Sequence, residues 1–207
     1  MMLIFIQKYL FEQSRNCIFL LKIIALKNYF LQYRAFFIFL IKFFLVYGLL
    51  TVCYQYYLST YNLLSFEPDG FTKFVAHQTE KLLQLFNDDS FVKPHERQAS
   101  MKLIFNGKYV ARIVEGCNAM SVMILFMAFV VAFKGKIKPT FLFILAGIVI
   151  IHILNVIRIA LLASALYHYP QYEHLLHGVV FPLFIYGVVF ALWVSWVQKF
   201  SIYGKDS

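Results

Sequence analysis

The chain has 207 residues, of which 61% are hydrophobic, 19% aromatic and only 14% charged, with a mean hydropathy of +0.71. Soluble domains run about half apolar and about a quarter charged, so this composition excludes an ordinary water-soluble domain. Apolar runs near ~20 residues, without alternating short strands, exclude a membrane barrel and predict an all-α polytopic membrane protein.

Residues 1–34 carry Lys8, Arg15, Lys22, Lys27 and Arg34 against Glu12. The apolar run 18–26 is short and broken by Lys22, so 1–34 reads as a basic cytoplasmic or interfacial arm. A fifth, N-terminal span is the alternative. The first span is predicted at about 36–57, with Lys42 snorkelling at its basic end and Tyr54, Tyr56 and Tyr57 in an aromatic belt. Loop 59–116 is polar. Within it, 71–86 has helical periodicity through Phe74, Val75, Leu82, Leu83 and Leu85, and predicts an amphipathic helix near the membrane surface. Asn106-Gly107 between strand-like runs predicts a two-residue β-hairpin over 101–114, because both turn positions favour positive φ. Further spans are predicted at about 118–133, 140–166 and 174–197, making about four in all. The span at 140–166 is long enough to tilt or to protrude on its outer side. Residues 35–197 form the membrane-embedded domain, and 198–207 a tail with Lys199 and Lys205.

The net charge of +9 admits either nucleic acid or a topology signal. The arm 1–34 and the turn Lys134–Lys138 are strongly basic, whereas loop 59–116 has seven basic and seven acidic residues. The positive-inside rule puts both termini and the lysine turn in the cytoplasm, with loop 59–116 and turn 167–173 outside. The excess charge is thereby explained without nucleic acid.

This topology places Cys117, Arg158, His174 and His177 at one outer depth, from three different spans. Cys17, Cys53 and Cys117 have no CxxC or CxxH neighbours, so neither a metal site nor a redox pair is expected; zinc would also need more ligands. Cys117 follows Glu115-Gly116 at the start of a predicted helix, where a helix N-terminus and a nearby cation favour a thiolate. Arg158 inside a span needs a partner or a wet cavity. Its partner is a carboxylate such as Glu115 or Glu173, or else the thiolate and oxyanion of an acyl transfer. Asn155, one turn earlier, is in position to orient it. His174 and His177 offer an acid–base imidazole. Cys17 and Cys53 are assigned to packing.

Glu115-Gly116-Cys117, Asn155-Val156-Ile157-Arg158 and His174-Leu175-Leu176-His177-Gly178, in this order, resemble the exosortase/archaeosortase family. The run 155–196 looks like the exosortase F subgroup of Gram-negative bacteria. The resemblance implies a membrane cysteine protease or transpeptidase of the bacterial inner membrane, with its active site on the periplasmic side and no cofactor. It implies exported protein substrates ending in a short motif, a transmembrane helix and a basic tail, and a water, lipid or glycan acceptor. The implied catalytic set is Cys117, Arg158 and His174, with His177 as the alternative histidine and Glu115 and Asn155 in support. The sequence departs from the family's common Cys-Ser-Gly, reading Cys117-Asn118-Ala119, and has Val179 where tryptophan is frequent. The hairpin is expected to shape a substrate groove and restrict water. The competing reading is a non-catalytic small transporter or assembly factor.

Overall fold

The computed structural model describes residues 31–61, 66–86, 89–133 and 135–199. The expectations for the arm 1–34, Cys17 and the tail 198–207 therefore fall wholly or largely outside the described residues. By internal contacts the chain divides into Met1–Lys42 and Phe43–Ser207, and the sheet and the candidate site belong to the second unit.

Helix α1 (Arg34–Ser59) has 26 residues and buries only Tyr54. An apolar helix that hides so little of itself is one whose solvent is lipid. Tyr54 departs from the belt role: it is 8% exposed and its hydroxyl is bonded inward. Helix α2 (Gly70–Gln84) starts where Asp69 caps the Thr72 N–H at 2.9 Å. Its buried face is Thr72, Val75, Ala76, Thr79 and Leu83, the i, i+3, i+4, i+7 spacing of an amphipathic helix. That face packs on the protein, not outward as a surface-lying helix would: Phe74 and Leu85 are exposed, while Val75, Ala76 and Leu83 join the core.

The hairpin forms as expected. Strands β2 (Met101–Phe105) and β3 (Lys108–Ile113) pair antiparallel about Asn106 (φ 48°) and Gly107 (φ 73°). Both turn residues adopt the left-handed conformation that the Asn-Gly pair tolerates. A third strand, β1 (Ser90–Pro94), was not anticipated; it pairs with β2, giving the order β1-β2-β3. Pro94 hides it from a sequence reading, but as the strand's last residue it interrupts little of the ladder.

The stretch predicted as the span 118–133 folds as the 13-residue helix α3 (Met120–Ala132), about 20 Å long against a ~30 Å hydrocarbon core. The preceding residues are consumed by a 3₁₀ turn at Glu115–Cys117 and by Ala119 at φ 63°, and Phe133 is extended. Buried residues lie all round α3, among them Met123, Phe126, Ala128 and Val130, as in an interior helix. It packs on α4 (Ile137–His168) and α5 (Phe181–Lys199). Among the described residues, three helical segments are long and apolar enough to cross a membrane: Arg34–Ser59, Ile137–His168 and Pro170–Lys199. The protein is thus a helical membrane protein carrying a small sheet.

Helix α4, with 32 residues, is about 48 Å long and serves two cores. Ile151 joins Phe126, Val130, Val189 and Trp196 in one; Val156, Ile159, Ala160 and Ala163 join Val75, Leu103, Phe105 and Ile113 in the other. Its C-terminal turn protrudes far enough for Tyr167 to meet Phe105, ring centroids 5.1 Å apart. Gly147 lets α3 approach, since a Cβ there would lie 2.2 Å from the Phe126 ring.

Candidate functional site

Cys117 ends the 3₁₀ turn that follows β3, three residues before α3 begins. It is therefore not at an α-helix N-terminus, and the helix-dipole argument for its thiolate does not apply. Its backbone is held on both sides: its N–H donates to Val114 O at 2.8 Å, and its carbonyl accepts from Asn155 Nδ2 at 2.9 Å. Asn155 thus grips the cysteine turn rather than orienting Arg158. Its Oδ1 is buried and unpaired among the described residues.

The flanking residues are held just as firmly. Tyr54 donates to Glu115 Oε1 at 2.8 Å; Asn118 Nδ2 donates to the Tyr54 hydroxyl at 3.2 Å and to Thr72 Oγ1 at 3.1 Å. Asn118 Oδ1 accepts from the Met120 N–H at 2.9 Å, satisfying the first N–H of α3 from just outside the helix. Side chains from α1, α2 and α4 therefore converge on Glu115, Cys117 and Asn118, three of four consecutive residues. Buried polar groups satisfied in this way fix one geometry, because any rearrangement leaves a donor or acceptor unpaired. Sequence reasoning missed Tyr54, Thr72 and Asn118. Only Asn118 left a signal, as a polar residue at the mouth of an apolar run.

Glu115 is committed to Tyr54, and among the described residues no carboxylate forms an ion pair with Arg158. Among the described residues the Arg158 Nε is buried without a partner. Cys117 and Tyr186 are the ionisable groups near enough to act on its charge.

Two cavities meet here. One, of about 180 Å³, is lined by Cys117, Asn155, Arg158, His177 and the α5 residues Pro182 and Tyr186, among others. The other, of about 400 Å³, is lined by Tyr109 through Ile113, Cys117, Arg158, Glu173 and His177, together with apolar residues of α4. Cys117, Arg158 and His177 belong to both walls. His174 lines neither; it lies exposed on the helical turn Glu173–Leu175. His177 sits in a π-turn, Leu176–Val180, closed by the Phe181 N–H bonding Leu176 O. Pro182 explains the wide turn: it has no N–H to give the carbonyl four residues back, and its ring would clash there. Such π-turns recur at functional sites.

Cys53 is exposed on α1 and unpaired, so it is not a packing residue as assigned. His152 Nε2 lies 2.5 Å from Gln78 Oε1 and its ring stacks on Phe74, tying α4 to α2. Among the described residues no three His, Cys, Asp or Glu side chains cluster as metal ligands.

No curated protein and no solved structure matches the chain. The family model described as "Transmembrane exosortase" matches residues 5–195, a stretch that contains the cysteine turn, the arginine of α4 and the histidine π-turn together. The chain belongs to the transmembrane exosortase family.

Proposed function

We propose that this protein is a membrane cysteine transpeptidase or protease of the exosortase F subgroup. In this reading it cleaves C-terminal sorting signals of exported proteins at the periplasmic face of a bacterial inner membrane, with both termini in the cytoplasm. The observation that carries the reading is the shared wall: Cys117, Arg158 and His177, from three different elements, line both cavities.

The Cys117 thiol gives its proton to His177, and the thiolate attacks the scissile carbonyl. Arg158, half-buried beside Cys117, balances the oxyanion of the tetrahedral intermediate. His177 returns the proton to the departing amine as the C–N bond breaks, leaving a thioester on Cys117. Water, or an amine or hydroxyl of a lipid or glycan, then attacks the thioester and regenerates the thiol. His177 is preferred to His174 on position alone. The substrate's own helix packs in lipid beside the site, and its basic tail stays cytoplasmic.

The test uses a reporter ending in motif, apolar helix and basic tail, co-expressed with single variants. Cys117→Ala and Arg158→Ala are expected to reduce processing by about 10³-fold or more. His177→Ala is expected to reduce it far more than His174→Ala. Processing that survives in Cys117→Ala removes the nucleophile; loss confined to His174→Ala reverses the choice of histidine. A membrane-impermeant thiol probe separates the enzyme from a transporter or assembly factor. Rapid labelling of Cys117 near neutral pH supports the enzyme, and an inert thiol supports the other class.

A further inference from the structure

The two edges of the small sheet are treated differently. On the β1 edge the Val92 N–H donates to Glu80 Oε1 at 3.0 Å and the Ser90 carbonyl accepts from Gln84 Nε2 at 2.8 Å, so α2 side chains close it. On the β3 edge, among the described residues, no hydrogen bond from outside the sheet reaches the backbone of Lys108 to Arg112. An open edge is a row of unpaired donors and acceptors that attracts another strand, and proteins ordinarily cover it.

This edge opens onto the larger cavity. Tyr109, Val110, Ala111, Arg112 and Ile113 all line it. Successive side chains of a strand point to opposite faces, so a cavity over one face would touch only alternate residues. One that touches five in a row runs along the edge itself. The two-residue turn and the β2–β3 register, with its irregularity at Leu103/Ile104, turn the N–H and C=O of Tyr109 and Arg112 outward. The same groove ends at Cys117 and Arg158.

We propose that β3 binds its protein substrate by strand addition. The occupant is the extended segment just upstream of the substrate's apolar helix, pairing main chain to main chain with β3. Its scissile carbonyl arrives at Cys117, and the following residues enter the smaller cavity between α3 and α5. Main-chain pairing supplies affinity while side-chain pockets supply selectivity. The open edge thereby acquires its missing partner, and the groove holds the peptide extended, as attack on one carbonyl requires. The proposal rests on the transpeptidase reading above.

The test places a photo-crosslinking amino acid at Tyr109 or Arg112 in a Cys117→Ala background, with the same reporter. Crosslinks are expected to the reporter segment immediately upstream of its helix, and not from the same probe at Phe91 on β1. Crosslinks to the reporter's helix alone, or none, overturn strand addition. Independently, Arg112→Pro deletes one outward N–H without touching the β2 ladder, and Arg112→Ala, which keeps that N–H, is the control for the lost side-chain bond to Gln98 Oε1. Arg112→Pro is expected to raise KM about tenfold with kcat nearly kept, losing about one hydrogen bond to the substrate. Wild-type KM in a folded Arg112→Pro, beside an inactive Cys117→Ala, overturns the docking and leaves the transpeptidase standing. An active Cys117→Ala overturns the transpeptidase, whatever the crosslinks show.

Discussion

In the cap formed by α2 and the sheet, Val75, Ala76 and Leu103 are fully buried, whereas α1 buries one residue of its 26. On α1, Phe44, Leu45, Leu49 and Val52 are all exposed. The cap folds as a soluble domain does, by packing apolar side chains against each other. The long helices leave theirs for lipid, which offers no comparable drive to associate. Order among them must come from close packing and polar ties. The one buried residue of α1, Tyr54, is also the one that bonds Glu115 beside the cysteine. The site lies where the two regimes meet: the cap brings β3 and the turn, α4 brings Asn155 and Arg158, and the π-turn brings His177.

This contrast can be broken at three depths. The largest effect is expected in the helix layer. Gly147→Leu drives a side chain into the buried Phe126 ring and should destabilise by about 3 kcal/mol or more, as severe overpacking does. Thermal unfolding in detergent checks it; an unchanged midpoint would mean that α3 and α4 are not held by close packing.

Next is the tie between the layers. Asn155→Ala frees the Cys117 carbonyl and should lower kcat about 10–100-fold, the equivalent of about 1–3 kcal/mol for a lost buried hydrogen bond. Stability should fall as well, since a buried carbonyl loses its donor, but the loss of activity in the folded enzyme should sit in kcat more than in KM, because Asn155 acts through the turn. A fall in stability with kcat unchanged in the folded enzyme would make it merely structural.

The smallest effect is at the junction itself. Ala119 is held at φ 63°, where a Cβ is strained, so Ala119→Gly should stabilise by about 0.5–1 kcal/mol after the glycine's own entropy is counted. A destabilised variant would show that the alanine side chain, 7% exposed in the α3 core, outweighs its backbone strain. The residue is of interest because the chain has alanine where the family resemblance places glycine.

The membrane class and the hairpin were legible in the sequence because both are local. Lipid demands runs of apolar residues, and Asn106-Gly107 meets the φ requirement of its turn by itself. Charge topology gave Cys117, Arg158 and the two histidines one expected depth, but depth does not sort residues into a cavity. Three things were decided only by tertiary structure. The shortness of α3 follows from a cysteine turn tied to Tyr54, Thr72 and Asn155, residues 63, 45 and 38 positions away. The prominence of His177 over His174 follows from where β3, α4 and α5 arrive, since the cavities they wall reach His177 and not His174. The open edge of β3 follows from α2 closing β1 instead. Periodicity reports what one segment prefers; which donor meets which acceptor depends on where distant segments arrive.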